Sequence, residues 1–215
     1  MNRRSGFVLG ITILVTAAIP GYIRAFVIVG DSDAPAIVTG DRVLVNLAAY
    51  DIRLPYGTSR LARLGDPVPG DMVLFRLLDG ELAVKRVIGG PGARIAMRGP
   101  HVTINGVALE YAPVAPQAKA GISRGHLGAV VEIERGSGPD VYISFDQEPG
   151  AFGDLEERVV PEGFLFVLGS NRDASMDSRH FGPLPRERVL GKVIGRVWAV
   201  GQQAREPVGP YRQGP

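Results

Sequence analysis

Three short stretches of this chain carry residues that could do chemistry together. The first is Gly30-Asp31-Ser32-Asp33-Ala34-Pro35, and the second is Val84-Lys85-Arg86-Val87-Ile88-Gly89. The third runs from Gly169-Ser170-Asn171-Arg172 through Ser175 and Asp177 to Arg179. A serine hydroxyl is a weak nucleophile until a base takes its proton, and a lysine can be that base only where burial disfavours its charged form. Leu82, Ala83, Val84, Val87 and Ile88 give Lys85 an apolar, strand-like setting. Together, Ser32 and Lys85 read as a nucleophile and its general base, the equipment of a hydrolase. Singly, neither residue says this. A serine among Gly and Asp is commonly a turn residue, and a strand lysine commonly reaches water along its stem. Because strand neighbours alternate, Lys85 pointing inward places Arg86 outward.

The elements that must position these residues are mostly strands. Gly 29 and Pro 17 are high for 215 residues, and helical periodicity is weak beyond the N-terminus, so a mainly β, turn-rich fold is expected. Arg42–Asn46, Met72–Arg76, Leu82–Ile88, Ala129–Ile133, Val141–Phe145, Phe164–Leu168 and Val189–Val200, which includes Trp198, read as strands. Val102-Thr103-Ile104 before Asn105-Gly106 signals a two-residue hairpin. Leu47–Pro69 reads as a surface loop or hairpin. The expected organisation is a cytoplasmic stub and transmembrane anchor over 1–28 and a first core part over 29–98. A β-rich insertion (99–162), a second core part (163–200) and a flexible tail (201–215) complete it.

Phe7–Ile19 is almost wholly apolar and follows Arg3 and Arg4. It approaches the roughly 20 residues of a membrane span when Pro20–Ile23 are added. Thr16-Ala17-Ala18 faintly resembles an export cleavage region, but Ser32 follows so soon that a retained anchor is the preferred reading. The basic terminus would then stay in the cytoplasm and the rest would lie outside.

A formal net charge of +2, with no basic stripe, argues against a nucleic-acid partner. Cys 0 removes disulfides, thiolate nucleophiles and Cys-containing zinc sites. His101, His126 and His180 lack the spacing of paired ligands, so no metal is expected.

At these three blocks the chain resembles the bacterial type I signal peptidases, membrane-anchored Ser-Lys endopeptidases of mainly β fold. Lys85-Arg86-Val87-Ile88-Gly89-Gly90-Pro91-Gly92 fits the family's Lys-Arg-x-x-Gly-x-Pro-Gly throughout. Gly169–Arg179 fits Gly-Asp-Asn-x-x-x-Ser-x-Asp-Ser-Arg except for Ser170. Ser32-Asp33-Ala34-Pro35-Ala36, followed by Gly40-Asp41, stands where the family has Ser-Met-x-Pro-Thr and Gly-Asp. The resemblance implies an antiparallel-sheet core with a β insertion and one N-terminal transmembrane helix. It also implies Ser32 as nucleophile, Lys85 as base, Ser175 orienting the lysine, and Asp177 with Arg179 supporting the loop. The oxyanion region would be Ser32 and Gly30, with the Ser32 N–H as the main donor.

The implied substrates are exported precursors with Ala-x-Ala-type sites, cut without a cofactor at the outer face of the cytoplasmic membrane, where lipid is a partner. Ile37, Val38 and Leu82–Val87 are the expected pocket walls. Asp33 is the departure with a chemical consequence, because a carboxylate beside the nucleophile favours the charged, inactive form of Lys85. That leaves open an impaired relative acting as a membrane-held scaffold. A self-cleaving repressor of similar chemistry is disfavoured, for the chain has an apolar start and no basic helix-turn-helix.

Overall fold

The computed structural model describes residues 22–53, 60–114, 129–146 and 154–197. The expected span from Phe7, Thr16–Ala18, His126, Trp198 and the 201–215 tail lie outside the described residues. The first strands are β1 (Ile23–Val27), β2 (Arg42–Asn46), β3 (Asp51–Arg53), β4 (Arg60–Arg63), β5 (Met72–Arg76) and β6 (Leu82–Gly89). Then come β7 (Arg94–Arg98), β8 (His101–Ile104), β9 (Val107–Ala108), β10 (Glu110–Pro113), β11 (Val130–Arg135), β12 (Val141–Phe145) and β13 (Leu155–Val159). The last elements are β14 (Phe164–Leu168), a short helix α1 (Ser178–Phe181), β15 (Leu184–Pro185) and β16 (Val189–Val197).

Seven of these strands form the main sheet, in the order β1-β2-β16-β5-β6-β14-β15, every neighbouring pair antiparallel. β16 inserts between β2 and β5, and β14 lies beside β6, so the sheet is completed only by strands that follow the middle of the chain. That middle forms a four-stranded sheet, β13-β7-β8-β9, and a three-stranded one, β10-β11-β12. Asn105 (φ 52°) and Gly106 (φ 81°) both take the left-handed conformation that a two-residue turn between β8 and β9 requires.

A shared core joins the sheets. Ile88, Phe166 and Leu168 of the main sheet pack with Ile95, Met97, Val102 and Leu155 of the four-stranded one, all buried. Truncating Phe166 there removes contacts from both layers, a loss of about 3–5 kcal/mol. A second cluster of Val73, Phe75, Val87, Leu165 and Val167 lies along β5, β6 and β14.

The structure corrects the sequence reading in three places. Residues 23–27, expected to belong to the stub and anchor, form a strand instead, because Ile23–Val27 pairs along its whole length with β2. β1 is an edge strand, mostly exposed and held by backbone hydrogen bonds, so its apolar letters read as a continuation of the preceding run. Among the described residues, no helix is long and apolar enough to cross a membrane. β7, β10 and β13 were not foreseen: β13 exposes four of its five residues and β10 ends in proline, so neither alternates as a half-buried strand should. Finally, Arg86 is buried alongside Lys85, at 4% and 3% exposure. β6 is covered on both faces from Val84 to Gly89, and there alternation no longer separates inside from outside.

Candidate active site

Ser32 sits in the loop between β1 and β2. That loop is held by its own hydrogen bonds: Thr39 N–H donates to Asp31 Oδ1 (2.9 Å), Ile37 N–H to the Asp33 carbonyl (3.0 Å) and Val38 N–H to Asp41 Oδ2 (3.1 Å). Buried Ala34 and Ile37 pin it to the body of the protein. Ile37 packs with Val43, Val45, Met72, Leu74 and Val84. Of the expected pocket walls, Ile37, Val84 and Val87 are therefore core residues, while Leu82 at the strand end is 45% exposed.

Lys85 lies opposite Val73 on β5. Its Nζ is in hydrogen-bonding contact with Ser32 Oγ. The same nitrogen is 3.4 Å from Asp33 Oδ2. Asp33 is itself buried, at 4% exposure.

The third block follows β14, where Leu168 pairs with Arg86, so the chain leaves the strand beside Lys85. Asn171 N–H donates to the Ser32 carbonyl (3.0 Å), and the Asn171 side-chain amide donates to the Asp31 carbonyl (3.3 Å). Ser170 N–H donates to Asp33 Oδ1 (3.3 Å). From β12, Ser144 Oγ donates to the Ala34 carbonyl (3.1 Å), while its N–H meets the Ser170 carbonyl (2.9 Å). The approach is close enough to demand glycine at 169: a Cβ there would run into Ser175 Oγ and the Ser32 carbonyl. Asn171 and Ser144 were given no role on sequence grounds. Asn171 lay inside a recognised block, whereas nothing local marked Ser144.

Asp177 holds the end of this loop. It caps α1 by accepting from Arg179 N–H (3.2 Å), takes the Arg179 guanidinium on both oxygens (2.8 Å each) and accepts from Gly169 N–H (3.0 Å). Burial pushes its carboxyl up, but the Arg179 guanidinium outweighs this and holds it below its ordinary 3.8. Arg172 is another residue whose role only the fold reveals. Its Nη2 donates to Glu134 Oε2 (2.6 Å) and its Nε to the Gly169 carbonyl (3.2 Å), which ties β11 to the loop.

The remaining expected residues sit as follows. Ser175 is buried, and its hydroxyl makes no hydrogen bond to Lys85. Gly30, in the left-handed region at φ 96°, donates its N–H to Thr39 Oγ1 (3.0 Å). His101 pairs with Glu132 (2.7 Å) in the insertion, and among the described residues no group of three ligating side chains could hold a metal. The site thus brings the half-buried Ser32 hydroxyl together with a buried amine and a buried carboxylate.

The family model described as Signal peptidase, peptidase S26 matches residues 3–198. The chain belongs to this family. It is 31% identical over 179 residues to signal peptidase I of Bacillus caldolyticus, covering 83% of this chain and 81% of that one. Signal peptidase I of Pseudomonas aeruginosa is 29% identical over 191 residues, which cover 82% of this chain and 64% of that protein. A signal peptidase IB of Staphylococcus aureus is 27% identical over 176 residues. The crystal structure of a signal peptidase I from Enterococcus faecalis shares 30% identity, covering 59% of this chain and 96% of that one, with a TM-score of 0.37. As a signal peptidase family member, the chain is a serine peptidase, a hydrolase of peptide bonds.

Proposed function

We propose that this peptidase removes N-terminal signal peptides from exported proteins, with Ser32 as nucleophile and Lys85 as general base. The observation that carries the reading is the contact between the buried Lys85 Nζ and the half-buried Ser32 Oγ. In its neutral form the amine accepts the hydroxyl proton along that contact while Oγ bonds to the scissile carbonyl carbon. The carbonyl electrons move onto oxygen, and the Ser32 N–H stabilises the charge. When the tetrahedral species collapses, the C–N bond breaks and Lys85 returns its proton to the leaving amine. Water then attacks the acyl-serine while Lys85 takes its proton, and as the acyl–Oγ bond breaks Lys85 returns that proton to Oγ and the new carboxyl terminus leaves. Asp177 and Arg179 keep the 169–177 loop against the serine loop.

The substrates are precursors cut after small residues in an Ala-x-Ala pattern. The enzyme is held in the cytoplasmic membrane by its N-terminal apolar run and works on the outer face. A purified precursor incubated with the full chain in detergent tests this. Mass spectrometry should find cleavage after the signal sequence with the wild type and none with Ser32→Ala. Equal cleavage by Ser32→Ala contradicts the assignment. The Asp33 carboxylate beside Nζ favours a second reading, a binding protein that has lost turnover; absence of cleavage by the folded wild type supports that one.

A further inference from the structure

An oxyanion donor works only if its N–H already points at the place where charge will develop. Among the described residues, no protein group accepts the Ser32 N–H, which leaves it open to a substrate oxygen. That N–H belongs to the peptide unit joining Asp31 and Ser32, a trans unit. A trans peptide is planar and its N–H points opposite to its carbonyl, so whatever fixes the Asp31 carbonyl also aims the Ser32 N–H. Two donors hold this carbonyl. Ala34 N–H reaches it from within the loop (3.0 Å), closing a turn, and Asn171 Nδ2 reaches it from outside (3.3 Å). The turn fixes the peptide within the loop, and Asn171 ties that turn to the segment after β14. Asn171 is buried and is oriented on its other side: its Oδ1 accepts from Ala174 N–H (3.2 Å), which turns the amide nitrogen towards Asp31. Its backbone N–H donates to the Ser32 carbonyl (3.0 Å).

We propose that Asn171 is a positioning residue for the oxyanion hole: its side-chain amide holds the Asp31–Ser32 peptide so that the Ser32 N–H faces the carbonyl under attack. This rests on the reading of Ser32 as nucleophile and oxyanion donor. A second bond to the same loop supplies the contrast. Ser144 Oγ donates to the Ala34 carbonyl (3.1 Å), but the next residue is Pro35, which has no N–H. Ser144 therefore fastens the loop without aiming a donor, whereas Asn171 does both.

The test compares the full chain with Asn171→Ala, Asn171→Asp and Ser144→Ala. Asn171→Asp keeps the side chain's shape and its acceptor for Ala174 N–H, and replaces the donor with an oxygen that repels the Asp31 carbonyl. Two probes are used: a fluorogenic Ala-x-Ala peptide, and a peptide aldehyde ending in alanine. Ser32 adds to the aldehyde reversibly, Oγ bonding to carbon and the hydroxyl hydrogen passing to the carbonyl oxygen, so the hemiacetal oxygen occupies the oxyanion position. In both Asn171 variants kcat should fall by about 10-fold to 100-fold with KM little changed, and the aldehyde should bind more weakly by a similar factor. Ser144→Ala should lower the melting temperature and leave kcat and aldehyde affinity within about twofold of wild type.

Unchanged kcat and aldehyde affinity in Asn171→Asp overturn the proposal. So does a rise in KM with kcat and aldehyde affinity intact, or a Ser144→Ala variant that loses the aldehyde as Asn171→Ala does. Should Asn171→Ala melt early, Asn171→Asp decides, because it alters the donor and not the packing. Failure of the peptidase reading shows differently: a folded wild type that neither cleaves the peptide nor binds the aldehyde overturns that reading and this one together. A wild type that does both, beside Asn171 variants that match it, overturns this one alone.

Discussion

Two buried ion pairs border the loop that follows β14, and they are built for different ends. Arg172 and Glu134 are 2.6 Å apart, with side chains 2% and 0% exposed. The guanidinium also holds the carbonyls of Gly169 and Pro100, and Tyr111 donates to the same carboxylate. Burial opposes the Arg172 charge, but Glu134 more than offsets it, so the group is held above its ordinary range. Lys85 and Asp33 are equally buried, at 4% and 5%, yet meet through a single contact of 3.4 Å. A guanidinium does not give up its proton in a protein, whereas a buried amine can. One pair fastens the insertion to the loop after β14; the other sets an amine and a carboxylate side by side next to Ser32.

The largest effect is expected where that difference is erased. Lys85→Arg keeps a positive charge beside Ser32 and removes the titratable amine, so peptide cleavage should fall by about 10²–10⁴ at every pH. Retention of the circular dichroism spectrum and melting temperature would assign the loss to chemistry. Next, Glu134→Ala leaves the Arg172 guanidinium buried without its carboxylate, which should lower stability by about 3–5 kcal/mol in urea unfolding. A change below about 1 kcal/mol would mean that the pair does not fasten the insertion.

Asp177 lies between these extremes. Its carboxyl is held below 3.8 in the fold, so its stabilisation is complete above that value and is lost as pH falls through the lower, folded-state range. Asp177→Asn should flatten the acid side of the stability–pH curve, measured by thermal melting from about pH 2 to 7. The smallest effect belongs to the exposed pair of Arg98 and Asp154, side chains 79% and 54% exposed, where Asp154→Ala should leave the melting temperature unchanged.

The sequence carried much of this site because its chemistry is written in short contiguous blocks. Ser32, Lys85 and the 169–179 run could each be picked out without knowing how they meet. The strands that support them, β2, β5, β6 and β14, announce themselves by apolar runs between Gly and Pro turns. Other features depend on what faces a residue across the fold. Asp33 could be seen to adjoin the nucleophile, but its bridge to Ser170 needs two loops 137 residues apart in sequence. Ser144 and Glu134 act from the insertion, where polar strands such as β13 give no alternation to read. Arg86 is buried against the alternation rule because that rule assumes a solvent face, and β6 has none from Val84 onward.

The measurement that bears most directly on the account is cleavage of a fluorogenic Ala-x-Ala peptide by the full chain in detergent from about pH 6 to 10, beside Ser32→Ala and Lys85→Ala. Turnover by the wild type that is absent in both variants is the predicted result. Turnover that survives in either variant, or a folded wild type that cleaves nothing at any pH, would contradict it.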